Sequence, residues 1–129
     1  MSLSLDAAVE HFPIAGTFTI SRGSKTTASV VTCRIGDGVH TGSGECVPYG
    51  RYGETLDTVL AEIAAIRPRI EAGLSRADLQ REMKPGAARN AVDCALWDLE
   101  AKQKSQPAHV LAGISSPEAL TTAYTLSLA

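Results

Sequence analysis

The sequence lacks several features that would each indicate a particular class of protein. It has no block of like charge: 12 Lys and Arg against 14 Asp and Glu give a net charge of -2, which argues against the basic stripe of a nucleic-acid-binding surface. No apolar run approaches the roughly 20 residues that a membrane span requires. The N-terminus has no basic segment followed by an apolar one, as a secretory signal would. We therefore expect a cytoplasmic protein that binds neither nucleic acid nor membranes.

Cysteine and histidine are scarce as well, and their spacing is typical of neither a disulfide framework nor a metal site. The cysteines are Cys33, Cys46 and Cys94. They lie in apolar or alternating runs, which predicts reduced thiols that serve as small core residues. The histidines are His11, His40 and His109, far apart in the chain. No metal site is expected within this sequence.

The first 48 residues contain three segments that are typical of β-strands. Alternating or β-branched side chains predict strands at residues 3–12, 25–36 and 39–47. Residues 13–23, which lie between a proline and a glycine, are predicted as a loop. Asp37-Gly38 predicts a two-residue hairpin turn with both residues at positive φ. We therefore expect a three-stranded antiparallel meander, in which Gly42 and Gly44 indicate a bulge or close backbone packing.

The rest of the chain predicts helices and then one more strand. The predicted helices cover residues 55–73, 75–83, 87–104 and 107–113. Pro68 predicts a kink or an early end to the first of them. The third carries an apolar stripe rich in alanine, which permits close approach to a neighbouring element. Alternation at Tyr124, Leu126 and Leu128 predicts a strand over residues 120–128. Strands followed by helices indicate an α+β fold.

Three motifs carry a resemblance to a known family. They are AARNAVDCALWDL at 87–99 followed by LAG at 111–113, FTISRGS at 18–24, and GECVPYGRYGE at 44–54. The helical motif resembles the N-terminal capping domain of the mandelate racemase and muconate lactonizing group of the enolase superfamily. The other two resemble loops of the dipeptide epimerases in that group. The resemblance implies a capping domain at 1–113, with 114–129 as a linker and the first strand of a (β/α)8 barrel.

The resemblance also implies a mechanism whose catalytic groups lie outside this sequence. In the family, barrel carboxylates hold Mg2+ and two barrel lysines exchange the α-proton of the substrate. A chain of 129 residues is too short for a barrel of about 250 residues. We therefore expect no catalytic or metal-binding residue in this chain, and no epimerase activity from it alone. The apolar stripe of the third helix is expected to face the barrel.

What the resemblance leaves to this domain is a lid over the active site, formed by residues 16–24 and 48–54. It implies a dipeptide substrate, with L-Ala-D/L-Glu from cell-wall peptides the best match. Arg22 would contact the acidic side chain of the substrate. Thr125, Ile20 and Tyr52 are the other candidate substrate-binding residues.

Two alternatives to a dipeptide epimerase remain open from the sequence. The domain could cap a muconate cycloisomerase or an o-succinylbenzoate synthase, which belong to the same group. It could also be a free-standing α+β binding module without catalysis. In either case the exposed edge of the last predicted strand favours association, and a homo-oligomer is expected.

Overall fold

The computed structural model of the chain describes residues 2–126. Three strands form one antiparallel sheet in the order β1-β2-β3: β1 is Ser4–Ile20, β2 is Gly23–Gly36 and β3 is Thr41–Cys46. Four helices follow: α1 is Leu56–Glu71, α2 is Arg76–Glu82, α3 is Ala87–Gln103 and α4 is Ala108–Leu111. The α+β prediction and the three-stranded meander are confirmed. None of the helices in residues 2–126 has the length and apolarity to span a lipid bilayer.

The hydrophobic core lies between the sheet and the first three helices. From the sheet, Leu5, Val31, Cys33 and Ile35 are buried. From α3, the whole predicted stripe is buried: Ala88, Ala91, Val92, Ala95, Leu96 and Leu99. The expectation that this stripe faces a barrel is wrong, because α3 packs along β3 of its own domain.

Two glycines of β3 explain how α3 lies so close to the sheet. A Cβ atom at Gly42 would stand 2.1 Å from the carbonyl oxygen of Ala95, and one at Gly44 would stand 2.0 Å from that of Ala91. The sequence left a bulge or close packing open at these glycines, and the structure shows close packing. Side chains are absent from both glycines and small on the facing alanines, so backbone meets backbone.

The prediction of a loop at 13–23 is wrong for most of that segment, which is β-strand. β1 continues through Pro13 to Ile20, and β2 begins at Gly23. Residues 14–17 stand opposite Thr26 alone, so the register shifts there. Pro13 is tolerated because β1 is an edge strand, where a missing N–H need not break a ladder. The distal end of the hairpin therefore remains β-structure, and only its turn is a loop.

The predicted two-residue turn at Asp37-Gly38 is also wrong, because the connection is longer. β2 ends at Gly36, which pairs with Thr41, the first residue of β3. Oδ1 of Asp37 accepts hydrogen bonds from the backbone N–H groups of Val39 at 2.8 Å and His40 at 2.7 Å. Only Gly38 has positive φ in this turn. The Asp37 side chain thus organises the turn together with the left-handed backbone of Gly38.

The helix boundaries follow their predicted capping residues. Thr55 caps α1 and its side chain accepts a hydrogen bond from the backbone N–H of Thr58, while Ser75 caps α2 in the same way. Pro68 does not end α1, which continues to Glu71. Ile66 and Ile70 are buried on either side of the proline, and this burial offsets the lost backbone hydrogen bond.

The strand predicted over residues 120–128 is not formed in the described part of that segment. Residues 117–126 belong to neither a helix nor a strand, and Leu120, Tyr124 and Leu126 are exposed. Alternating side chains suit a sheet, but a strand also needs a neighbour for its backbone hydrogen bonds. Residues 127 and 128 lie outside the described residues.

The cysteines divide into two environments. Cys33 and Cys46 are buried, and burial raises the pKa of Cys33 to about 12 and that of Cys46 to about 11, so both are protonated at neutral pH. These two confirm the prediction of small core residues. Cys94 contradicts it, because this thiol is exposed on the side of α3 that faces away from the core.

Candidate functional site

A large cleft lies between the distal end of the β1–β2 hairpin and the segment before α1. Its volume is about 900 Å3. One part of the lining comes from the hairpin: Phe18, Ile20, Arg22, Gly23, Ser24 and Lys25. The other part comes from residues 48–51, which are Pro48, Tyr49, Gly50 and Arg51. The two segments predicted as lid loops therefore meet at one site.

The hairpin side of the cleft is a two-stranded arm. β3 pairs only with residues 31–36 of β2, so residues 18–25 have no third strand beside them. The arm is held by its own ladder, which closes with the pair Ile20 and Gly23. The hydroxyl oxygens of Thr19 and Ser24 also lie 2.9 Å apart across it. Arg22 sits in the turn at the tip, where its side chain is exposed.

The second side of the cleft is fixed by one carboxylate. Residues Gly50–Tyr52 form a single 3-10 turn that ends at Gly53 in the left-handed region, φ 74. Glu54 Oε2 accepts a hydrogen bond from the backbone N–H of Tyr49 at 3.1 Å, and Oε1 accepts one from that of Ala87 at 2.8 Å. Ala87 begins α3, so this carboxylate satisfies a free N–H at a helix N-terminus. Glu54 thereby ties the segment 48–54 to the core helix.

We predict that Glu54→Ala loosens the segment 48–54. The variant loses two charge-assisted hydrogen bonds and should be destabilised by about 1.5–3 kcal/mol. The midpoint of chemical denaturation should fall. Amide hydrogen exchange at Tyr49 and Ala87 should become faster. Glu62→Ala is the matched control, because Glu62 forms an exposed ion pair with Lys84, worth less than about 1 kcal/mol. Equal effects of the two substitutions would show that Glu54 does not anchor the segment.

The cleft is cationic, although the chain as a whole carries a net charge of -2. Its lining contains Arg22, Lys25 and Arg51 and no carboxylate. None of the three side chains has an ion-pair or hydrogen-bond partner among residues 2–126. Phe18, Ile20 and Tyr49 contribute apolar and aromatic groups to the lining. The site is therefore suited to a small ligand with an anionic group and an apolar portion.

Of the four predicted binding residues, only two line the cleft. Ile20 and Arg22 both line the cleft. Tyr52 does not line it; its ring is exposed and packs against the ring of Tyr49, with centroids 5.7 Å apart. Thr125 lies in the exposed segment 117–126 and does not line the cleft. The structure thus brings two of the four residues, Ile20 and Arg22, together in one cleft.

Sequence reasoning missed two of the cations and one of the aromatic rings that line the cleft. These residues are Lys25, Arg51 and Tyr49. A signal for the cations was present, because residues 11–36 and 46–53 contain no Asp or Glu. Cations in such segments have no carboxylate partner within the segment, although Arg34 pairs with Glu10 on the neighbouring strand.

The comparison with protein families decides what kind of domain this is. The family model for the N-terminal domain of mandelate racemase and muconate lactonizing enzymes matches residues 5–113. This chain belongs to that family. The match ends at Gly113, the residue at which the sequence predicts the capping domain to end. In this N-terminal domain of the mandelate racemase family, residues 18–25 and 48–51 line the cleft. The helical motif at 87–99, which indicates the family, does not line it.

Individual relatives resemble the chain over most of its length. L-Ala-D/L-Glu epimerase of Escherichia coli is 45% identical over 117 residues, which are 91% of this chain and 36% of that protein. N-acetyl-D-glutamate racemase of a Pseudoalteromonas species is 39% identical over 98 residues, 73% of this chain and 30% of that protein. The chain therefore spans about a third of the length of these curated relatives.

A solved structure shows the same fold with a ligand bound. An enolase family member from Agrobacterium tumefaciens, with homology to dipeptide epimerases, is 58% identical and superposes with a TM-score of 0.89. The match covers 98% of this chain and 39% of that one. That structure contains sodium and L-Ala-L-Glu, with an ordered loop.

Proposed function

We propose that this domain caps the active site of a dipeptide epimerase whose substrate ends in a glutamate residue. The observation that carries the proposal is the cleft, where three unpaired cations and no carboxylate surround an apolar wall. The three relatives described above support it, since each is named for, or holds, a compound with a glutamate unit. L-Ala-D/L-Glu is the substrate that fits both facts.

In this proposal the domain binds and orients the dipeptide and excludes water from it. The guanidinium group of Arg22 has the geometry to pair with the side-chain carboxylate through two hydrogen bonds. Ile20 packs against the apolar part of the dipeptide from the same strand end. Closing both segments over the substrate would keep solvent from the α-carbon while its proton is exchanged. Tyr52 would contribute by holding Tyr49 at the cleft, and Thr125 would approach only with the barrel in place.

The described residues do not provide a metal site. Within residues 2–126 there is no group of three His, Cys, Asp or Glu side chains that could hold an ion. The Mg2+ of the proposed enzyme, and the bases that move the proton, would therefore belong to a barrel in a longer protein. A bound Mg2+ there would stabilise the negative charge that develops on the substrate carboxylate.

The oligomeric state and the cellular location stay predictions. Leu120, Tyr124 and Leu126 are exposed in a segment without backbone partners, which supports association with another chain. We propose that this chain on its own forms a homo-oligomer through that segment, and that the protein is cytoplasmic.

The full-length protein tests the proposal directly. With Mg2+ present in deuterated buffer, it should exchange the α-proton of the glutamate residue of L-Ala-L-Glu and convert it to L-Ala-D-Glu. L-Ala-L-Gln is the matched control, because it has nearly the same shape without the charge. Exchange that is absent with L-Ala-L-Glu, or equally fast with both dipeptides, would contradict the proposal. Turnover of muconate or of an o-succinylbenzoate precursor would assign the domain to a different enzyme of the family.

A further inference from the structure

We infer that Arg51 is a second specificity-determining residue, which acts with Arg22 on the same anionic group of the ligand. The nature of that ligand, a dipeptide with an acidic side chain, rests on the proposed function. The inference that both arginines bind one anionic group does not rest on the proposed function, because it is argued from the cations that line the cleft. Each arginine comes from a different segment, so one anion held by both would join the hairpin arm to the segment 48–54.

The charges of the whole domain single out this cleft. Of the 12 Lys and Arg side chains, most have a carboxylate within 4.0 Å. Those are Arg34, Arg69, Arg76, Arg81, Lys84, Lys102 and Lys104. Arg89 donates to the backbone carbonyl groups of Gln80 and Met83. In residues 2–126 the cations without any such partner are Arg22, Lys25, Arg51 and Arg67.

Three of these four unpartnered cations line one cleft. Arg67 is the exception, and it lies half-buried on α1. Seven of the nine cations outside the cleft pair with a carboxylate, so the concentration of unpaired positive charge at the cleft is a property of this site and not of the surface in general. Three like charges around one open cleft repel each other and attract an anion. An anionic ligand removes the repulsion.

Arg22 and Arg51 lie in segments that are held in place to different degrees. Arg22 lies in the turn of a two-stranded arm that lacks a third strand. Arg51 lies in the 3-10 turn that Glu54 ties to α3 through Tyr49 and Ala87. The segment that carries Arg51 is therefore the side tied to α3, and the arm is the side without a third strand. An anion seated on Arg51 would draw the tip of the arm toward it.

The chemistry of a carboxylate permits both arginines to bind it at once. Its two oxygens offer about four lone-pair directions, enough for two guanidinium groups that approach from different sides. Lys25 lies opposite Phe18 in the ladder and adds a point charge without a fork. Arginine is preferred to lysine for planar recognition of this kind, so Arg22 and Arg51 are assigned the direct contacts.

The test measures binding in the full-length protein, with Mg2+ present, by calorimetric titration of L-Ala-L-Glu and L-Ala-L-Gln. Arg51→Ala should raise the Kd for L-Ala-L-Glu about 10-fold or more and that for L-Ala-L-Gln less than about threefold. Arg51→Lys, which keeps the charge without the fork, should give an intermediate loss for the acidic dipeptide. Arg81→Ala is the matched control, an exposed arginine outside the cleft, and should change neither Kd by more than about twofold.

A double variant tests whether Arg22 and Arg51 bind the same carboxylate. If both arginines hold one carboxylate, the loss in Arg22→Ala/Arg51→Ala should differ from the product of the single losses by at least about twofold. Equal weakening of both dipeptides by Arg51→Ala, no weakening, or no binding of L-Ala-L-Glu by the unmodified protein would overturn the inference. Strictly multiplicative losses would overturn the shared carboxylate. A protein that binds L-Ala-L-Glu through Arg51 but never exchanges its α-proton would refute the proposed function and leave this inference standing.

Discussion

Gly44→Ala is expected to lower the free energy of unfolding by about 3 kcal/mol, near the upper end of the usual cost of overpacking a core. The new methyl group would lie 2.0 Å from the carbonyl oxygen of Ala91 and 2.8 Å from the backbone nitrogen of Ala95. Both atoms belong to the backbone of α3, so no side chain can rotate away to make room. Relief requires that α3 move off β3, which opens the core on the side where the helix stripe is buried.

Chemical denaturation of the chain measures this effect, and Gly50→Ala is the control. A Cβ atom at Gly50 would meet nothing within 4 Å, so that substitution should change the stability by less than about 1 kcal/mol, in either direction. Gly42→Ala should resemble Gly44→Ala, since its Cβ would lie 2.1 Å from the carbonyl oxygen of Ala95. If Gly44→Ala were as harmless as Gly50→Ala, the contact between β3 and α3 would have to be looser than described.

Arg22→Ala is expected to reduce kcat/KM of the full-length protein for L-Ala-L-Glu by about 10- to 150-fold. That range corresponds to the loss of one charge-assisted contact worth about 1.5–3 kcal/mol in the transition state. The loss for L-Ala-L-Gln should be much smaller, because a neutral amide forms no ion pair with the arginine. The physical basis is the position of Arg22 at the hairpin tip, in a cleft without any carboxylate that could neutralise it.

Steady-state kinetics with both dipeptides separate a specificity role from a merely structural one. Arg22→Lys serves as the conservative variant, since it restores the charge without the forked geometry. It should recover part of the activity toward L-Ala-L-Glu. Equal losses for the two dipeptides in Arg22→Ala would mean that the arginine only supports the hairpin, and the acidic specificity would then reside elsewhere.

The sequence by itself determined the elements whose signals are local. A capping residue acts on the helix it precedes, so Thr55 and Ser75 placed the starts of α1 and α2 correctly. The stripe on α3 has helical periodicity within one segment, and all its members are buried. The family, too, was indicated by residues 87–99, which form one continuous helix.

Tertiary contacts decided the features that depend on distant partners. Pro13 and the glycines around it indicate a loop, yet pairing with β2 keeps residues up to Ile20 in a strand. Residues 120–126 alternate as a strand does, yet they have no neighbour to bond with and form none. The Asp37 turn is set by side-chain hydrogen bonds to Val39 and His40, which the Asp-Gly pair alone does not predict.

The cleft required both kinds of information. Sequence alone placed Arg22 and Ile20 on one candidate loop, through resemblance to a family. It also implied that residues 16–24 and 48–54 cover one active site, but it did not single out Arg51, or Lys25 just beyond the first segment. Only the folded structure shows which side chains of the two segments line the cleft. Since a charge is neutralised by what lies near it in space, the three-dimensional structure had to show which cations remain unpaired and available to a ligand.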